Sequence, residues 1–404
     1  MNTFVILLNN LLHMVTNFDK TTYRKGTNSV KWDLVDMIFK GDDLLPMWVA
    51  DMDFESPECV KESILDIANK GIFGYSACLE KYYNSIVKWY YKRHSTIINN
   101  DWISYTPGTV TSLNMLIQSF TKEGDGIIVQ QPVYYPFFNS ILNNNRKVVN
   151  NPLRYNNGRY NIDFDHLNKI IEEENPVMMI LCSPHNPVGR VWEKEELTTL
   201  SYICNKHNIF VISDEVHSDL VLFDNKHLPY IGIDTANILN SATCISPSKS
   251  FNMAGLHISN VIIADSKKRE IFRSHLNKCG IEWPNIFATE IQSVVYEKGD
   301  LWLKDLIAYI ESNMLYLDSF LKLNMPEIHL VKPEATYLAW LDFRNLNKEE
   351  TEINKILINE SKIALDYGSM FGKEGNGFQR INVACSQELL KKALENINNT
   401  LFRK

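Results

Sequence analysis

Between residues 56 and 265 of this chain, short apolar runs alternate with longer stretches whose apolar positions recur at helical spacing. Ser56-Pro57-Glu58 has the form of a helix start, a hydroxyl cap followed by proline at the first helical position and an early acid. Val60, Ile64, Ile67 and Ala68 then fall on one helical face up to Gly71. Downstream, the spacing predicts helices over about residues 111–122 and 193–207. Strands are expected at 127–129, 177–182, 209–213, 244–246 and 258–264. Runs that are apolar throughout, with no alternation, mark a sheet buried on both faces by helices, an α/β fold. After Pro284 the pattern is helical to about Leu323, with apolar strands at 337–341 and 380–384 and a closing helix to Phe402, which suggests a smaller α+β unit. Asn143-Asn144-Asn145 and Asn156-Asn157 read as polar loops.

Composition narrows the function classes. With 404 residues and 45% hydrophobic content, the chain can bury a large core in two or three domain-sized units. Forty-eight acidic against 41 basic residues give a net charge of −7, so no basic face is offered to nucleic acid or anionic lipid. The seven cysteines are odd in number and scattered, with neither a C-x-x-C pair nor a cluster with histidine, and read as reduced thiols of a cytoplasmic protein without a metal centre. The apolar run Phe4-Val5-Ile6-Leu7-Leu8 is too short to span a membrane and lacks the flanks of a signal peptide. Met14 begins a more ordinary start, so the first 13 residues read either as an added extension or as a misassigned start, and the sequence leaves both open.

Three motifs carry chemistry. Ser246-Pro247-Ser248-Lys249-Ser250-Phe251-Asn252 follows a short strand and surrounds one lysine with hydroxyls. Ser183-Pro184-His185-Asn186-Pro187-Val188-Gly189 and Ser213-Asp214-Glu215-Val216-His217 each follow a buried-looking strand, where α/β sheets place ligands. Singly, each has an ordinary reading: a solvated lysine, an Asn-Pro turn, a helix-capping acid.

Together, Asn186, Asp214 and Lys249, separated by 28 and 35 residues, resemble the cofactor triad of fold-type I pyridoxal 5′-phosphate (PLP) enzymes, the class I/II aminotransferase superfamily. Within it the chain is similar to the cystathionine β-lyase branch of the MalY/PatB type. That likeness is carried by residues 26–33 (GTNSVKWD), 46–54 (PMWVADMDF), 132–137 (PVYYPF), the lysine motif continued through Ala254-Gly255-Leu256, and 378–384 (FQRINVA). It covers about residues 17–401.

The resemblance implies a mostly parallel seven-stranded sheet in a large PLP-binding domain over residues 52–296, with an arm at 1–51 and a small domain at 297–404. It assigns Lys249 as the residue that carries the cofactor and takes the Cα proton, Asp214 as partner of the pyridine nitrogen, Asn186 as donor to the phenolic oxygen, and Tyr134 as the stacking group. Thr106-Pro107-Gly108-Thr109-Val110-Thr111 would open a helix against the phosphate, with Gly108, Thr109, Val110 and the hydroxyls of Ser246 and Ser248 in contact. An arginine that many relatives carry after the lysine is absent here, where the chain reads Gly255-Leu256-His257, which leaves His257 as a candidate substitute. His217 stands where related aminotransferases have a tyrosine, and either a packing or a cofactor role is open to it. Tyr75 would cross a homodimer interface to the other subunit's phosphate, or else be a core aromatic. Arg380 would take the substrate's α-carboxylate as a bidentate pair. Trp48, Asp51 and Asp53 would line the mouth of the site, the two acids more ordinarily as caps. The leading activity is β-elimination from cystathionine or another cysteine S-conjugate, to thiol, pyruvate and ammonia. The alternatives are an aminotransferase and a catalytically idle PLP-binding regulator, because the triad alone serves all three.

Overall fold

The computed structural model describes residues 16–20 and 22–402; the first 13 residues, over which the start was in question, lie outside the described residues. Its centre is a seven-stranded sheet formed by β1 (Ile103–Thr106), β2 (Gly126–Val129), β3 (Lys147–Asn150), β4 (Met178–Cys182), β5 (Phe210–Asp214), β6 (Ser241–Ile245) and β7 (Ser259–Ile262), in spatial order β1-β7-β6-β5-β4-β2-β3. All run in one direction except β7, which is antiparallel to both neighbours. The mostly parallel seven-stranded sheet expected of the chain is therefore present.

Alternation along each strand divides the core. Met178 and Ile180 of β4 point with Phe210 and Ile212 of β5 to one face, against Leu113, Leu116, Phe137 and Phe272. Met179, Leu181 and Val211 point to the other, against Leu197, Leu200 and Ile203. Each fully buried apolar side chain of this kind contributes roughly 1.5–3 kcal/mol.

The helices follow the periodicity, with one correction. The helix Glu58–Lys70 ends on left-handed Gly71 as its pattern predicts, but Ser56 is not its cap. The Ser56 hydroxyl instead donates to the Asn252 carbonyl at 2.9 Å, tying the N-terminal segment to the lysine motif. Glu193 and Glu196 form a capping box at the helix Lys194–Lys206.

The C-terminal part builds a four-stranded antiparallel sheet from β8 (His329–Leu330), β9 (Leu338–Asp342), β10 (Asp366–Tyr367) and β11 (Phe378–Asn382), in order β8-β9-β11-β10. Leu45–Pro46 pairs in parallel with Ile363–Ala364, which sews the N-terminal segment to this region. No described helix is long and apolar enough to cross a membrane.

Candidate active site

A cavity opens at the C-terminal ends of the central strands, lined by Gly108, Thr109, Val110, Tyr134, Asn186, Asp214, His217 and Lys249 among others. These eight residues were all singled out from the sequence, and they arrive from separate turns. β1 leads into Gly108, β4 into the turn that bears Asn186, and β6 into the short helix that bears Lys249, while Asp214 is the last residue of β5. A larger surface groove, of about 610 Å³, runs along Cys78, Tyr83, Tyr105, Arg273 and Trp283, but it gathers no such set.

Asp214 is buried and accepts one backbone hydrogen bond, from Val216 N at 3.2 Å. Burial pushes its carboxyl up to about 7, only partly opposed by the Val216 N–H and the nearby Lys249. Lys249 stands at the cavity wall, partly reached by solvent, and its Nζ donates to the Ala50 carbonyl at 2.6 Å. Enclosure by protein lowers its amine to about 8; Asp51 and Asp214 oppose the shift and Arg380 adds to it. His217 is buried beside them with no partner for Nδ1, and burial brings it down to about 3, with the positive Lys249 and Arg380 adding to the shift, so it is a neutral imidazole. Its ring meets Tyr337 edge to face at 6.1 Å.

Arg380 belongs to β11 and lies opposite Asp366 of β10 in register. It ion-pairs with Asp366, donates to Asn186 Oδ1 at 2.9 Å and to the Trp48 carbonyl at 3.2 Å, and rests on the Phe371 ring at 4.8 Å. Its buried Nε has no partner.

On another side of the cavity Gly108, at φ +99°, precedes the helix Thr109–Phe120, whose first turn has backbone N–H groups without helical partners. His257 sits at the exposed lip, its Nδ1 3.5 Å from where a Cβ on Gly108 would be. Ser246 turns away: its hydroxyl donates to the Ile258 carbonyl at 2.5 Å and accepts from Ser248 N, and Ser248 lines the cavity in its place. Tyr75 is 96% exposed and touches none of this.

Asp51 and Asp53 are not helix caps. Arg24 forks onto Asp51 through two 2.9 Å bonds and also reaches Asp53, which accepts from Lys31 at 2.7 Å and Trp32 Nε1 at 2.8 Å. This network holds Ala50 at the cavity. The sequence reading missed Ala50, Cys182, Tyr337 and Asp366. A backbone carbonyl leaves no side-chain signal, and the others read as strand or core residues until the registers are known.

The donor set fits PLP. A buried acid lacking a cation faces a cavity that also holds a lowered lysine amine, an unpartnered imidazole nitrogen and a helix N-terminus. Comparison with known proteins agrees. A family model described as "Aminotransferase class I and II" matches residues 42–397. "Cystathionine beta-lyase PatB" of Bacillus subtilis (strain 168) is 41% identical, with 95% of this chain and all of that protein covered. Among solved structures, cystalysin from Treponema denticola, which contains PLP, superposes with TM-score 0.92 at 35% identity over 96% of this chain and 99% of that one. A PLP-bound protein of Clostridium difficile 630, provisionally named an aminotransferase, gives TM-score 0.93 at 39% identity over 95% and 99%.

Proposed function

The chain belongs to the class I and II aminotransferase family, and from that premise we propose that it is a PLP-dependent carbon–sulfur β-lyase, which cleaves L-cystathionine or a related cysteine S-conjugate to thiol, pyruvate and ammonia. The observation that carries the reading is the meeting of Lys249, Asp214 and Asn186 on one cavity within reach of Arg380.

PLP bound there supplies an electron sink for the pair left behind when the Cα–H bond breaks. Each residue has a task that follows from its surroundings. Lys249, with an amine near 8, would hold the cofactor and, when its amine is free, would take the Cα proton. Asp214 keeps the pyridine nitrogen protonated, and the cation in return satisfies its buried charge. Asn186, whose Oδ1 is occupied by Arg380, has its amide hydrogens free to donate to the phenolic oxygen. Arg380 receives the α-carboxylate on the side where Nε is unpaired, and Tyr134 covers one face of the ring. Gly108, Thr109 and Val110 hold the phosphate with His257 beside them, and Ser246 braces Ser248.

The exposed stretch holding Ile72, Phe73, Tyr75 and Leu79 gives reason to pair the chain with a second copy, which would carry Tyr75 into the other subunit's cavity. We divide each subunit into an arm to residue 51, a large domain to 296 and a small domain beyond, with the cavity between them. Seven free cysteines suit a cytoplasmic protein.

An aminotransferase would use the same residues, and the C. difficile structure's provisional name keeps that reading in view. Purified protein with PLP and L-cystathionine decides between them. Pyruvate formed without an added 2-oxo acid, and abolished by Lys249→Ala, is the lyase result. Turnover that needs a 2-oxo acid is the aminotransferase result, and an intact protein inert to every amino acid would return the idle regulator.

A further inference from the structure

One acceptor in the cavity is used twice. The Ala50 carbonyl receives Lys249 Nζ at 2.6 Å and the Tyr337 hydroxyl at 3.0 Å, so both of its lone pairs are engaged. Its position is set independently of these two donors. Asn382 donates to the carbonyls on either side, Val49 at 2.7 Å and Asp51 at 2.5 Å. Asn252, three residues beyond Lys249, accepts from Met52 N at 3.0 Å and donates to the Met52 and Phe54 carbonyls at 3.0 and 2.7 Å. The segment that offers the carbonyl is thus clamped both to β11 and to the lysine's own motif. Tyr337 is 1% exposed, just ahead of β9, and packs edge to face on His217.

We propose that the Ala50 carbonyl is the seat to which the Lys249 amine returns whenever it is not bonded to the cofactor, and that Tyr337 is a positioning residue that shares this seat and loosens its grip on the ammonium form. This rests on the PLP reading of the site. Two donors on one oxygen each bind more weakly than one alone, and an ammonium gains more from a carbonyl than a neutral amine does. A carbonyl half-occupied by Tyr337 therefore leaves Lys249 more readily neutral, the state needed both to bind the cofactor and to take a proton. Asp51, Asp214, Arg380 and the neutral His217 also face Lys249, and Tyr337→Phe removes none of these groups.

The test reads the lysine directly. Full-length protein freed of PLP is pulsed with acetic anhydride across a range of pH, and acetylation at residue 249 is followed by peptide mass spectrometry. Tyr337→Phe keeps the ring and removes the shared donor. It should move the labelling midpoint up by about half a unit or more, so that labelling at a fixed pH below the midpoint falls about threefold. Tyr337→3-fluorotyrosine, a stronger donor of the same shape, should move it down. A midpoint unchanged in both variants, or shifted the opposite way in either, overturns the proposal. Added PLP must block labelling of Lys249 in the unaltered protein; if it does not, the cofactor reading itself has failed, whatever Tyr337 does.

Discussion

Arg380 donates through Nη1 to Asn186 Oδ1 at 2.9 Å, so the side chain proposed for the substrate's carboxylate and the one proposed for the cofactor's phenolic oxygen form a single hydrogen-bonded unit. The contact joins β11 of the four-stranded sheet to the turn after β4 of the seven-stranded one. It also fixes the amide's orientation, because an oxygen facing Arg380 leaves the NH₂ for the cavity.

Arg380→Lys keeps the charge but cannot reach Asn186, Asp366 and the Trp48 carbonyl from one planar head. Losing a charge-assisted hydrogen bond of this kind costs about 1.5–3 kcal/mol, so KM for cystathionine should rise roughly 10- to 100-fold. Steady-state kinetics on the variant check it. A KM unchanged within twofold would remove Arg380 from carboxylate binding.

Asp214→Asn should separate stability from function. The Asp214 carboxyl is raised from 3.8 to about 7 in the folded protein, so without the cofactor it binds a proton that the unfolded chain has already released. The stability this group gives is fully present below pH 3.8 and is lost as pH rises to about 7. Without PLP, Asp214→Asn should therefore resist urea better than the parent, by a margin that grows between pH 4 and pH 7 to on the order of a few kcal/mol. With PLP the same change should lower kcat about 100-fold or more, since without the carboxylate the pyridine nitrogen loses its proton and the electron sink weakens. Urea titrations at two pH values and initial rates check both halves.

His217 invites a narrower test. Burial holds it neutral down to about pH 3, so a pH–rate profile between 5 and 8 should carry no limb from it. His217→Phe keeps the edge-to-face packing on Tyr337 but removes the unpartnered Nδ1. It should reduce kcat about tenfold with the fold intact, the loss expected of one hydrogen bond to the cofactor. Full activity would return His217 to a packing role.

Which features could be read from the sequence follows from where they sit in the fold. Five strands of the large sheet were legible because β2, β4, β5, β6 and β7 are buried along their whole length and each carries a short apolar run. The two that escaped, β1 and β3, are its edges, and β3 alternates exposed Lys147 with buried Val149. The helix Glu80–His94 was missed although Tyr82, Ile86, Trp89 and Tyr90 mark its buried face, because exposed Tyr91 and half-buried Tyr83 blur the pattern. Asn186, Asp214 and Lys249 were visible because each lies at or just beyond the end of a buried strand. Asp366 was invisible until β10 and β11 were set in register, and Ala50 acts through an atom that every residue has.

The turn that carries Asn186 is held from the opposite side by a second buried ion cluster. Glu334 accepts from Arg190 Nε at 2.9 Å and Val191 N at 3.0 Å, and from Arg159 at 3.2 Å, while its own N–H and that of Ala335 donate to the Gly189 carbonyl. Tyr337 lies three residues further on, so this junction sets the spacing between the Asn186 turn and the Ala50 seat. Burial opposes the charge on Glu334, but the Val191 N–H, Arg190 and Arg159 outweigh it and hold the carboxyl below its ordinary range. A lowered acid contributes stability above its unfolded value of 4.5, and that contribution is lost as the pH falls through the folded value. Glu334→Ala strands the buried Arg190 with only Glu196 as a counter-ion and should cost about 3–5 kcal/mol at neutral pH. Glu334→Gln, which retains an acceptor, should cost less. Urea unfolding at pH 7 and again below pH 4 checks the assignment: the gap between parent and Glu334→Ala should narrow in acid, and a gap independent of pH would mean that Glu334 acts by packing and not by charge.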